Sequence, residues 1–365
     1  MFLISVLSVW SCVHIYFFWR ISQLPRLSAL PWWFWWLAGS LLWFAYPFAR
    51  FLDRNGVSLE LARSLELVGA WWMGVLFLQV FLLLVADLIT GFGLWRTAVI
   101  PTRLLALATG SLLAAYGLVQ GARAPVVEQV EVRLPTLPPE LDGLRLVQLS
   151  DLHLGTILRE SWLSRIIAQV RDLRPDLVAI TGDLVDGNAR HVERLVPVLQ
   201  TLTAPLGVFA VTGNHEFYAG VEASVSLLRQ AGFHVLRDEH RQVREGLVIA
   251  GIDDLTARRQ FGIAHEALQK ALANRSSGAC ILLSHSPWQV EVAAKAGVGL
   301  MLSGHTHGGQ IWPFSYLVAL SYPYFQGTYR REGFTLHVSR GTGTWGPRLR
   351  LWQPAEITLL VLRSA

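Results

Sequence analysis

Over the first 122 residues the chain runs through four long stretches with almost no charge, and these restrict its fold more than any motif does. Hydrocarbon gives a backbone N–H or C=O no partner, so a segment crossing it must be a helix or part of a closed barrel. The stretches lie roughly at Phe2 to Trp19, Pro31 to Phe51, Val68 to Ile89 and Ala98 to Gly121. Each is near the ~20 residues that cross a bilayer as a helix. They predict an all-α transmembrane region of about four helices in residues 1–122, followed by a second domain in residues 123–365. A buried soluble core of this length would show polar helix faces. No positive residue precedes "FLISVLSVW" and further spans come after it, which argues against a cleaved leader. Arg103 would have to snorkel out of the start of the fourth span. The tryptophans of "PWWFWWLAGSLLW" suit a headgroup boundary.

The loops do not orient this region. Arg20, Arg26, Arg96 and Arg103 oppose Arg50, Arg54, Arg63 and Arg123, a nearly balanced count for a rule that depends on imbalance. The formal net charge of +5 fits an anionic membrane surface or phosphate-bearing substrates. Only Cys12 and Cys280 are present, so neither a disulfide framework nor a thiolate metal site is available.

From about residue 123 short apolar runs alternate with amphipathic helical stretches, the pattern of an α/β domain. "LRLVQLS", "DLVAIT", "GVFAVT", "CILLS" and "GLMLS" read as strands, and the residues at their carboxyl ends carry the chemistry. The endings are Asp151-Leu-His153, Gly182-Asp183 with Asp186, Gly213-Asn214-His215-Glu216, a lone His285, and Gly304-His305-Thr-His307. Strand carboxyl ends are where open α/β sheets bind ligands. Seven donors, Asp151, His153, Asp183, Asn214, His285, His305 and His307, exceed what one tetrahedral ion takes. They fit two divalent ions sharing a carboxylate, with manganese, iron or zinc suited to oxygen and nitrogen ligands. Two adjacent ions favour in-line displacement at phosphorus, which points to phosphoester hydrolysis.

This series of motifs resembles the calcineurin-like metallophosphoesterase family from about Leu144 to Leu360. "GHTHGGQI" and the tail "SRGTGTWGP...PAEITLL" are similar to its bacterial branch of YkuE-type and transmembrane members. The resemblance implies a four-layer αββα metallophosphoesterase sandwich behind the membrane region. It assigns Asp151, His153 and His307 to one ion, Asn214, His285 and His305 to the other, and Asp183 as the bridge. It makes His215 the non-ligand histidine that contacts phosphate and protonates the leaving oxygen, with Asp186 and Glu216 behind the ligands. Trp288 in "SHSPW" departs from the Asp of many relatives. Arg340 in "SRGTG" is an expected phosphate contact. His191, His234, His240, His265 and His337 are expected to have ordinary surface or core roles. "IWPFSYLVALSYPYFQG" is expected to form a packed loop and edge strand, or an apolar lip for the bilayer or an acyl chain.

The expected activity is that of a membrane-anchored phosphodiesterase or pyrophosphatase. The resemblance extends to relatives that cleave UDP-2,3-diacylglucosamine in lipid A synthesis, which implies a lipid-linked substrate, a bacterial inner membrane and a cytoplasmic catalytic domain. A nuclease or nucleotide phosphatase is the alternative, although no basic, aromatic-interleaved stripe predicts nucleic acid. A phosphate-binding membrane sensor or scaffold without turnover is the other alternative, since fold alone does not decide function. Protein partners are not legible.

Overall fold

The computed structural model describes residues 2–55, 59–264 and 266–364, so His265 lies outside the described residues. The chain divides into two compact units, Met1–Ala122 with Gly346–Leu351, and Arg123–Trp345 with Trp352–Ala365.

The first unit holds four long helices, α1 (Phe2–Ser22), α2 (Trp32–Arg54), α3 (Leu59–Ile89) and α4 (Arg96–Ala122). Among the described residues three stretches, Ile4–Ser22, Glu60–Ile89 and Arg96–Ala122, are long and apolar enough to cross a membrane. The expected second span is a helix of sufficient length, but its five tryptophans are amphipathic and hold its hydropathy down. Arg103 does not snorkel, contrary to expectation. It is buried and donates through Nε and Nη2 to Asp87 Oδ1 at 3.1 and 2.9 Å, and through Nη1 to Gln23 Oε1 at 2.8 Å. Asp87 also takes Arg20 at 2.6 Å and the Tyr16 hydroxyl at 2.6 Å, which explains how charge is tolerated there. Gly346–Leu351 belongs to this unit because small residues make room for it: Leu349 lies against Gly117 of α4 and Gly74 of α3. Nothing in the local sequence forecasts this return.

Among its described residues the second unit contains twelve strands: β1 (Val126–Leu134), β2 (Arg145–Leu149), β3 (Leu177–Ile180), β4 (Val208–Ala210), β5 (His234–Val235), β6 (Glu239–Arg244), β7 (Leu247–Gly251), β8 (Ala279–Leu283), β9 (Leu300–Ser303), β10 (Gly327–Arg331), β11 (Phe334–Val338) and β12 (Glu356–Ser364). They form two six-stranded sheets, ordered β1-β12-β2-β3-β4-β5 and β10-β11-β9-β8-β7-β6. Alternation sorts the apolar residues into three cores. On β2 and β3, Leu146, Leu177 and Ala179 face a core shared with Ile249, Ile281 and Leu302 of the other sheet. Val147, Val178 and Ile180 face the helix containing Leu163 and Ile166. Leu282 and Met301 face Leu268 and Ala293 on the far side of the second sheet. Helix, sheet, sheet and helix therefore stack as four layers.

The helix expected around "HVERLVPVLQTL" breaks into Ala189–Glu193 and Val196–Leu199. Pro197, in the first turn of the second piece, has no N–H to continue the first. The stretch after the Gly-His-Thr-His motif is not the packed loop expected of it. It forms helix Phe314–Ser321, none of whose residues is buried, before edge strand β10.

Candidate metal centre

Strands β2, β3 and β4 run parallel in the first sheet, and β8 and β9 run parallel in the second. All five carboxyl ends open on one place. Asp151 and His153 follow β2, Asp183 follows β3, Asn214 follows β4, His285 follows β8, and His305 and His307 follow β9.

The loops reach that place through costly backbone geometry. Asp151, His153, Asp183, His305 and His307 all have positive φ, between 45° and 73°. A non-glycine residue there costs on the order of 1 kcal/mol or more, and such strain persists only when the surroundings over-determine it. The surroundings are identifiable. Asp151 N–H donates to Gly182 O at 3.1 Å and His153 N–H to Asp183 O at 2.9 Å, locking the first two loops together. The Asp151 carboxylate accepts Ser150 Oγ at 2.6 Å and the His305 N–H at 3.2 Å, tying the first sheet to the second. A Cβ on Gly304 would collide with Ser150 Oγ and Asp151 Oδ2, so only glycine fits.

Two donor clusters result. In the first, His307 Nε2 lies 3.3 Å from Asp151 Oδ1 and 3.1 Å from His153 Nε2. In the second, His285 Nε2 lies 3.1 Å from Asp183 Oδ2 and 3.2 Å from His305 Nδ1. Asp183 reaches toward both, with Oδ2 3.9 Å from His153 Nε2. Each cluster could hold a cation by the spacing of its donor atoms. His285 Nδ1 sits 2.8 Å from Thr181 O, which fixes the N–H there and leaves Nε2 as the donor. Among the described residues, buried Asn214 Oδ1 finds no hydrogen-bond partner, a costly arrangement that a cation relieves.

Electrostatics in the protein alone fit the same reading. Burial pushes Asp151 up to about 6, and burial pushes His153 down to about 3 and His305 down to about 4. Burial opposes the charge on His285, but Asp183 and Asp151 outweigh it and hold its pKa well above the ordinary value. Burial likewise opposes the Asp183 carboxylate, but His285, His215 and His153 together keep it well below the usual range. The centre thus binds protons that cations would displace.

Two further residues flank the donors. His215 Nδ1 is 3.0 Å from Asp186 Oδ1, and its backbone N–H donates to Asp183 Oδ1 at 2.8 Å. Burial works against protonation of His215, yet Asp183 and Asp186 raise it to about 9. Buried Glu216 accepts three backbone N–H bonds, from Gly213 at 2.6 Å, Val185 at 2.8 Å and Asp183 at 3.0 Å. It holds the Asp183 and Asn214 loops in register.

Arg340 is engaged by carboxylates, with Nη2 2.7 Å from Glu128 Oε2 and Nε 2.5 Å from Glu356 Oε2, and its stem lies against Gly308. Trp288 packs as a tilted ring pair, 4.9 Å between centroids, against Tyr322, whose hydroxyl is 2.7 Å from His305 Nε2. The residue that departs from the family pattern therefore supports a donor histidine from behind. His337 is buried between Thr328 and Thr358, His240 bonds Ala271 O, and His234 meets Arg241. Sequence reasoning does not single out Tyr322, Ser150 or Trp345. Trp345 meets His215 at 6.1 Å between rings, and its backbone N–H and C=O both bond the Gln310 amide at 3.0 Å. No spacing signal marks these contacts.

A profile of the calcineurin-like phosphoesterases matches residues 144–309. The chain is 40% identical over 273 residues to a transmembrane protein with metallophosphoesterase domain of Danio rerio, covering 72% of this chain and 62% of that one. It is 35% identical to a metallophosphoesterase of Aquifex aeolicus, covering 65% of this chain and 92% of that one. It is 32% identical to the metallophosphoesterase YkuE of Bacillus subtilis, covering 71% and 94%. The chain spans less than two thirds of the Danio rerio protein's length. Among solved structures it is similar to a dimetal phosphatase from Danio rerio, at 14% identity and a TM-score of 0.38, covering 55% of this chain and 88% of that one.

Proposed function

Since this chain belongs to the calcineurin-like phosphoesterase family, whose members are phosphoric ester hydrolases, we propose that it is a membrane-anchored dinuclear phosphodiesterase or pyrophosphatase. Asp151, His153 and His307 would hold one divalent ion, Asn214, His285 and His305 would hold the other, and Asp183 would serve both. Manganese, iron and zinc suit these donors. One observation carries the reading: six potential donors from four strand ends gather in two clusters, five of them on strained backbone, while the buried Oδ1 of Asn214 has no hydrogen-bond partner among the described residues.

Two bound cations neutralise charge on phosphoryl oxygens and make water a better nucleophile at neutral pH. The chain's own groups do the rest. Asp186 takes the Nδ1 proton side of His215, so Nε2 is the position that gives a proton to the leaving oxygen. Glu216 keeps Asp183 and Asn214 in place. Arg340, pinned by Glu128 and Glu356, is a phosphate contact only if a substrate draws it from one of them.

The substrate is a lipid-linked phosphodiester or pyrophosphate, with UDP-2,3-diacylglucosamine the first to try, acted on by a cytoplasmic domain at a bacterial inner membrane. Three membrane-length apolar helices in the same chain support the lipid class. The test is hydrolysis by detergent-solubilised full-length protein with manganese, using bis-p-nitrophenyl phosphate and UDP-2,3-diacylglucosamine beside an Asn214→Ala control. Wild type should cleave both and the variant neither. Undiminished turnover by the variant refutes the metal assignment, and cleavage of the artificial diester alone refutes the lipid substrate.

A further inference from the structure

Helix Phe314–Ser321 follows the Gly-His-Thr-His turn and is fastened to it. Ser315 sits against Gly309, and Tyr322, just past the helix end, bonds His305. The half-buried side of the helix is therefore fixed by the candidate centre. Its other side is apolar and exposed: Phe314, Leu317 and Leu320 recur at three-residue spacing with Tyr316 beside them, and Leu320 is 84% exposed. No Asp, Glu, Lys, Arg or His lies between Gly308 and Tyr329. A separate group of exposed rings surrounds His215: Trp345, Tyr218 and Phe261, linked by ring contacts of 6.1, 5.4 and 6.3 Å along the series His215–Trp345, His215–Tyr218 and Tyr218–Phe261. Large exposed apolar groups grouped this way on a domain surface mark an interaction site rather than ordinary surface.

The chain itself names the partner. It carries three helices long and apolar enough to cross a membrane, and only Arg123–Pro125 separates the last of them from β1. Trp345 directly precedes Gly346–Leu351, the segment that packs with those helices. Apolar chains with aromatic rims and no charge are suited to the boundary between headgroups and hydrocarbon. A soluble protein partner would leave the absence of every charge over so long a stretch without a purpose.

We propose that helix Phe314–Ser321 seats in the surface of a lipid bilayer, so that the centre acts on the phosphoester of a lipid whose acyl chains stay in the leaflet. This rests on the phosphoesterase reading for the chemistry, but the bilayer seat can be tested without turnover. Full-length protein with Cys12→Ser and Leu320→Cys, labelled with an NBD fluorophore, is reconstituted into phosphatidylethanolamine–phosphatidylglycerol vesicles. A second sample carries the label at Glu239→Cys, on exposed β6. The label at 320 should be quenched by nitroxide lipids and shielded from iodide, and the label at 239 should show the reverse. Equal iodide access at the two positions overturns the seat. In the activity arm, Leu317→Ser with Leu320→Ser should slow UDP-2,3-diacylglucosamine turnover in vesicles by roughly ten-fold or more, the order expected for withdrawing two leucines from an apolar phase. Hydrolysis of bis-p-nitrophenyl phosphate should stay within about two-fold, since neither leucine touches the donors. Equal loss on both substrates overturns the proposal. A wild type that cleaves neither sinks the phosphoesterase reading, and the label positions then decide the seat alone.

Discussion

Glu216 offers the sharpest test of how the centre is assembled, because it acts entirely through backbone. Its Oε2 accepts Gly213 N–H at 2.6 Å and Asp183 N–H at 3.0 Å, and its Oε1 accepts Val185 N–H at 2.8 Å. In Glu216→Gln one oxygen becomes an NH2 group. The amide oxygen can keep the two-bond position, which leaves Val185 N–H facing another donor in a fully buried site. An unsatisfied buried N–H costs about 1–3 kcal/mol. Glu216→Ala orphans all three donors and should cost roughly 3 kcal/mol or more. The assay is amide exchange of the peptide containing Asp183 to Val185 in the full-length protein, paired with metal content. Each ~1.4 kcal/mol of local destabilisation raises exchange about ten-fold, so Gln should accelerate it roughly 5- to 150-fold and Ala further. Loss of a group that orients ligands should weaken manganese binding about 10–100-fold. Unchanged exchange in Glu216→Gln, or an alanine variant no worse than glutamine, would show that Glu216 does not hold these loops. Without cations, burial and then the Asp183 charge push Glu216 up to about 7, so the comparison belongs at pH 8, where the carboxylate form prevails.

Three other outcomes rest on the same geometry. His215→Ala should retain both cations while slowing hydrolysis by about 10²–10⁴-fold, most for poor leaving groups; loss of metal instead would make it a ligand. Burial alone would raise Glu356, but bonds from His337 and Arg340 hold it down to about 2, below its unfolded value. Its contribution to stability is therefore present above about pH 4.5 and lost as pH falls toward 2. The melting temperatures of wild type and Glu356→Gln should differ at pH 7, draw together below about pH 4.5 and converge only toward pH 2; a constant gap would refute the ion-pair account. Gly304→Ala must displace the Ser150 and Asp151 side chains, so metal content should fall with little change in far-ultraviolet circular dichroism; full metal occupancy would mean that the turn can relax.

How far the chain could be read in advance depended on whether the signal was local. The seven candidate donors can be picked out because each comes just after a short apolar strand, and a strand end is a local pattern. The two-ion division comes from the resemblance and not from any spacing in the sequence. Arg103 was misjudged because its fate depends on Asp87 and Gln23, which lie far away in sequence. Tyr322 and Trp288 were not legible as supports for His305, since aromatic contacts leave no spacing signature. The helix at Phe314–Ser321 was missed because flanking prolines suggested a loop and an eight-residue apolar run has no decisive period.

Runs of consecutive residues were enough to set the apolar first region, the five strands that end in polar motifs and the kinds of atom that each of these ends presents. The meeting of the five loops, with Asp151, His153, Asp183, His305 and His307 held at positive φ, came instead from contacts made across the folded chain. Such conformations are unfavourable for each residue alone. They persist because bonds such as His305 N–H to Asp151 and Asp183 N–H to Glu216 join segments far apart in the chain.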